Sequence, residues 1–143
     1  MKKVSKKLTL TDVGRNNSHL SAIRIPMDVV GSEVLPALSK TILNPKRNLV
    51  FLDEMGVEWT FQYIYYNDKY HGKPTKLAHN EYRLSRVRDY IKEYGIDDGD
   101  EIWFSIDDLG TRTIGFIRAS ASEQTEEDDG IIHIRGGWKI YEY

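Results

Sequence analysis

Cysteine is absent from these 143 residues, so disulfides and thiolate metal sites are excluded and the redox compartment is left open. No apolar run approaches the ~20 residues that span a bilayer, and no membrane partner is expected. The start, MKKVSKKLTLTDV, is basic but runs on into alternating residues, so a secretory signal is not expected and a cytoplasmic, prokaryotic setting is. Internal repeats and domain boundaries are also missing, and residues 1–143 read as one domain. With 40% hydrophobic and 29% charged residues, the composition suits a globular domain that buries a core without staples.

Catalytic signatures are missing too. No lysine has an acid two positions before it, as a metal-dependent nuclease of the common restriction type requires. His71-Gly72-Lys73 opens a phospholipase-D-like pattern, but Ala78 stands where its Asp belongs. There is no Walker-type phosphate loop, no GxGxxG and no serine nucleophile elbow. The four histidines (His19, His71, His79 and His133) match no zinc spacing. No catalytic residue, metal or cofactor is expected.

What is present is charge, unevenly placed. Residues 1–92 carry sixteen Lys and Arg against nine acids; residues 93–143 carry four against thirteen. Either these are solvated faces, or the domain has a basic side that meets a polyanion and an acidic side opposite.

Alternation places strands over Lys7–Val13, His19–Ile25, Arg47–Asp53 and Val57–Tyr66, the last two joined at Glu54-Met55-Gly56. Met27–Leu38 reads as one or two short turns, because Gly31 and Pro36 interrupt it. Tyr82-Arg83-Leu84 adds a short strand. Ser85 suits the cap of a helix whose stripe is Val87, Tyr90, Ile91 and Tyr94, with Gly95 closing it. Glu101–Asp107 and Arg112–Arg118 alternate again, Ala119–Gly130 is an acidic loop, and Ile131–Tyr143 supplies a last strand or two. About seven short strands with two short helices predict a mainly β barrel or sandwich.

Between the strand ending near Tyr66 and Tyr82 lies the longest connection with ordered chemistry, from Asn67 to Asn80. A loop that long in a compact domain is usually functional or disordered. Lys69, Lys73 and Lys76 suit phosphates, while Asn80, Glu81 and Arg83 put three base-reading side-chain types within four residues. Glu81 repels a phosphate backbone, so its presence fits base reading or an internal salt bridge to Arg83 or Lys73. An ordinary surface ion pair is the plainer alternative.

YYNDKYHGK followed by NEYRLSR resembles the N-terminal effector domain of EcoRII-type restriction endonucleases, where a similar Asn-Glu-x-Arg arrangement forms one of two DNA-clamping arms. GRNNS with HLSAIRIP is similar to that family's other arm, and the frame over Leu8–Arg118 resembles the plant B-three DNA-binding domain. The resemblance implies a seven-stranded open pseudobarrel with two short α-helices. It also implies a double-stranded DNA partner, a CC(A/T)GG-like site read in the major groove, and a nuclease catalytic domain elsewhere in a longer parent chain. By that resemblance the arms span about 14–25 and 67–83. Arg15, Asn17, Lys69, Lys73 and Lys76 are expected on phosphates; His19, Arg24, Asn80, Glu81 and Arg83 on bases. Asn16, His79 and Tyr82 complete the expected contact set. Two departures stand out: the segment between Lys73 and Asn80 is longer here, and Tyr82 replaces an expected lysine. Two other readings remain from the residues alone: a protein-interaction module working through the acidic stretch 97–129, and a small nuclease with an unrecognised site.

Overall fold

In the computed structural model, residues 2–14, 22–68, 71–72, 80–121 and 130–141 are described. Their order is β1 (Lys3–Lys7), α1 (Leu10–Val13), β2 (Ala22–Ile25), β3 (Lys46–Leu52), β4 (Glu58–Tyr66), β5 (Glu81–Ser85) and α2 (Val87–Glu93). Then come β6 (Glu101–Ile106), β7 (Arg112–Ile117), β8 (Ile131–His133) and β9 (Trp138–Tyr141), with 3-10 turns at Ala119–Ala121 and Arg135–Gly137. The strands form one sheet ordered β2-β5-β4-β3-β7-β6-β1-β9-β8. All pairings are antiparallel except β3 with β7, joined only at Phe51↔Arg112 and Leu52↔Thr113. That short parallel seam joins two curled halves, and a ring contact bridges it: the ring centroids of Phe51 and Phe104 lie 5.4 Å apart, and within the second half those of Phe104 and Trp138 lie 6.5 Å apart. Burying each such ring contributes about 1.5–3 kcal/mol. No helix among the described residues is long and apolar enough to cross a membrane.

The architecture is mainly β, open and curled, but the described residues contain nine strands rather than seven. One difference lies at the start. Lys7–Val13 is not a strand: β1 lies earlier, and the chain turns into α1 through a capping box. The Asp12 amide donates to Thr9 Oγ1 at 3.3 Å and the Thr9 amide donates to Asp12 Oδ2 at 2.9 Å. The apparent alternation fails because Leu10 is half exposed. At the end, the expected last strand or two prove to be two, separated at the Gly136-Gly137 break and paired with each other.

The β3–β4 hairpin and the α2 stripe stand as expected, with Phe61, Tyr63, Tyr65, Val87, Tyr90 and Ile91 in the core. Gly95 ends α2: its amide donates to Lys92 O at 3.2 Å and the Ile96 amide to Ile91 O at 2.9 Å, a left-handed glycine cap. The start of α2 differs. Arg86, not Ser85, stands at the cap, in left-handed conformation (φ 74) and without a side-chain capping bond.

Among the described residues, the basic and acidic halves of the sequence interleave within the sheet. β1, with Lys3, Lys6 and Lys7, lies between β6 and β9 inside the acidic half, and Lys7 is in register with Glu101. Lys2 of the basic half pairs with Asp108, while within the acidic half Lys139 pairs with Glu101 and Arg118 with Asp100, each at 3.1 Å.

Candidate nucleic-acid interface

β2 and β5 pair antiparallel, with Ala22 opposite Ser85 and Ile25 opposite Tyr82. The chain therefore arrives at β2 from one end of this pair and at β5 from the other. The two arrival points are separated by four strand residues, roughly 14 Å at the usual rise. Alternation then divides the side chains. Ile23, Ile25, Tyr82 and Leu84 are buried in the core. Arg24, Glu81 and Arg83 face the other way, with Arg24 directly opposite Arg83.

The three polar side chains form one cluster. Arg83 Nε donates to Glu81 Oε2 at 3.0 Å, and Arg24 Nε lies 3.3 Å from the same oxygen. Glu81 is only 8% exposed, a burial that a lone carboxylate would not tolerate without such partners. The Arg83 guanidinium also sits 5.3 Å from the Tyr66 ring centroid, within cation–π range. Both arginines engage Glu81 through Nε, so one carboxylate holds both guanidinium groups, with the Arg83 side chain only 17% exposed. Two cations on one anion leave a net positive site, and the Arg24 side chain is 66% exposed.

Beside this cluster is a cleft of about 330 Å³ where the two curled halves approach. Arg24, Asn80 and Glu81 line one wall; Arg135 and Trp138 line the other. Arg135 is exposed and lies more than fifty positions from Glu81 in the chain, so no local pattern pointed to it. Among the described residues no group of three or more His, Asp or Glu could hold a metal ion.

Of the expected contact residues, the structure brings Arg24, Asn80, Glu81 and Arg83 together. Tyr82 is a correction. It is 2% exposed, stacked on Tyr65 with centroids 4.3 Å apart, and its hydroxyl accepts from the Leu38 amide at 2.8 Å. Its position in β5 alternates inward, so it supports the site from beneath instead of contacting a ligand. Arg15, Asn16, Asn17, His19, Lys69, Lys73, Lys76 and His79 lie outside the described residues.

No family model and no curated protein matches the chain. Solved structures do. The Arabidopsis FUS3–DNA complex is similar with a TM-score of 0.60 and 25% identity, covering 80% of this chain and 95% of that one. The Arabidopsis thaliana transcription factor LEC2–DNA complex is similar with a TM-score of 0.54 and 18% identity, over the same shares. Both are plant B3-domain complexes. The fold is B3-like. The sheet is open and curled with two helices, and the polar cluster lies on its β2–β5 edge pair.

Proposed function

We propose that this chain is a sequence-specific double-stranded DNA-recognition domain, with the 14–25 and 67–83 segments acting as two arms on either side of a major groove. The observation that carries the reading is the Arg24–Glu81–Arg83 cluster on the β2–β5 pair, between the points where the two segments arrive. Their separation of roughly 14 Å suits a groove about 12 Å wide. Arginine held by a carboxylate suits guanine O6 and N7, and Asn80 beside it suits adenine. The two solved relatives in complex with DNA support the same class of partner. In this reading Glu81 acts through the arginines, while Lys69, Lys73, Lys76, Arg15 and Asn17 hold phosphates.

The finer reading is that the domain targets a CC(A/T)GG-like site as the recognition part of a longer restriction endonuclease, with catalysis in another segment of that protein. It is supported by the similarity of the Asn67–Arg83 stretch to the EcoRII-type effector arm. The test is a gel shift against a randomised duplex pool, with sequencing of the retained fraction. Enrichment of a CC(A/T)GG-like motif is expected. Enrichment of an unrelated motif would remove the restriction reading and keep sequence-specific binding; retention without any motif would remove sequence reading altogether. Cleavage of the pool by this chain with magnesium would overturn its assignment as a binding domain.

A further inference from the structure

The connection from β2 to β3 spans residues 26–45 and includes no strand or helix, yet part of it is tied closely to the second arm. The tie begins at Asn67, the first residue after β4, which is fully buried. Its side-chain Oδ1 accepts from the Asn44 amide at 2.7 Å, and its own amide donates to Asn44 Oδ1 at 2.9 Å. This reciprocal pair is extended on both sides. Asn67 Nδ2 donates to Ile42 O at 2.8 Å, and Asn44 Nδ2 donates to Asp68 Oδ1 at 2.9 Å. The Tyr65 amide donates to Pro45 O at 3.1 Å, and His71 Nε2 lies 2.9 Å from Lys40 O. Asn44 adopts the left-handed conformation (φ 47) that this exchange requires and that asparagine tolerates better than most residues.

The same connection also reaches the far root of the arm, because the Leu38 amide donates to the hydroxyl of Tyr82, next to Glu81 in β5. Residues 38–45 therefore hold both ends of the 67–80 segment: Asn67 and Asp68 where it leaves β4, and Tyr82 where it re-enters the sheet. Merely closing the chain between β2 and β3 would not call for bonds to both roots of another loop.

We infer that residues 38–45 form a strap that sets the position of the second arm, and that Asn44 is a positioning residue for sequence recognition that need not touch the DNA. The inference rests on the DNA-recognition reading above and adds to it a determinant outside both arms. Misplacing a reading side chain by about an ångström is enough to degrade a bidentate contact, so the strap controls selectivity more than overall charge attraction.

The substitution Asn44→Asp keeps the acceptor for the Asn67 amide and the tolerance for positive φ. It removes the donor to Asp68 and puts two carboxylates face to face. Adding Asp68→Asn restores a donor–acceptor pair with the roles exchanged. Two readouts are taken on the parent chain, N44D and N44D/D68N. One is the ratio of affinities for the duplex that the parent enriches from a randomised pool and for a scrambled duplex. The other, which needs no DNA, is the rate of tryptic cleavage after Lys69 and Lys76 (Lys73 precedes Pro74 and is not cut), with the melting midpoint checking that each variant folds. N44D is expected to lower the selectivity ratio about tenfold and to speed cleavage within the arm severalfold, and the double variant to recover both. An unchanged selectivity ratio in folded N44D would overturn the positioning role even if cleavage accelerates. Unchanged cleavage would overturn the strap itself. If the parent selects no duplex while N44D still accelerates cleavage, the DNA reading fails, and with it the role in recognition; the strap as a structural tie stands.

Discussion

Arg83 and Glu81 are two positions apart and share a hydrogen bond, yet they predict different binding defects. Arg83 stands directly opposite Arg24 on the outward face and is held by Glu81 and Tyr66. Arg83→Ala is expected to cost about 1–3 kcal/mol on the selected duplex and to relax preference at one base position, read by fluorescence anisotropy with single-base variants. Glu81→Gln removes a negative charge from the cluster, so binding to scrambled duplex should tighten while the margin for the selected one narrows. An equal effect on both duplexes would mean that Glu81 positions nothing. The residue types Asn-Glu-x-Arg were legible in the sequence, and Glu81 bonded to Arg83 was one of the alternatives it left open. That Arg24 joins from a strand nearly sixty positions earlier was not legible, because cross-strand register is set by the whole sheet. Tyr82 shows the converse: a resemblance assigned it to the ligand, and strand alternation turned it inward onto Tyr65.

At the scale of elements, the β3–β4 hairpin and α2 were legible because each writes its period into few residues. β4 alternates Phe61, Tyr63 and Tyr65 inward, and α2 repeats Val87, Tyr90 and Ile91 on one side. Elements as short as α1 write no period at all, and four residues of apparent alternation concealed its Thr9–Asp12 box. Gly115 is another element-scale feature without a sequence pattern. It is the register partner of Trp103 across β6 and β7, and an added Cβ would lie 2.2 Å from the indole Cζ2. Gly115→Ala therefore forces the ring aside and should cost about 1–3 kcal/mol, seen as a lower denaturation midpoint in urea with a similar slope. A midpoint equal to that of the parent would show that the indole repacks freely.

For the whole molecule, two predictions concern charge. If the arm lysines grip phosphates, Lys76→Ala should weaken selected and scrambled duplexes alike and reduce the slope of log affinity against log salt by about 1. The second concerns acid. Burial raises the Asp100 carboxyl, but amide donors at Asp97 and Ala119 and the Arg118 guanidinium outweigh it and hold the group below its ordinary value of 3.8. Asp53 is likewise held below 3.8 against burial, by the Tyr94 hydroxyl, the Trp59 indole and the amides of Val57 and Met55. Groups lowered in the folded state stabilise it fully above their unfolded value and lose that contribution as pH falls through the folded one. The melting temperature should therefore drop below about pH 4, and the gap between parent and Asp100→Asn should shrink over the same range. A gap that stays constant down to pH 2 would contradict this. Local composition by itself determined that the domain is mainly β, where its best-patterned elements lie, and which residue types stand ready for a polyanion. Only the tertiary structure decided that a basic strand enters the acidic half, that Arg24 meets Glu81, and that residues 38–45 hold both roots of the arm. The physical reason is range: periodicity and capping act over a few residues, whereas register, burial and ion pairing join positions that only the folded sheet brings within bonding distance.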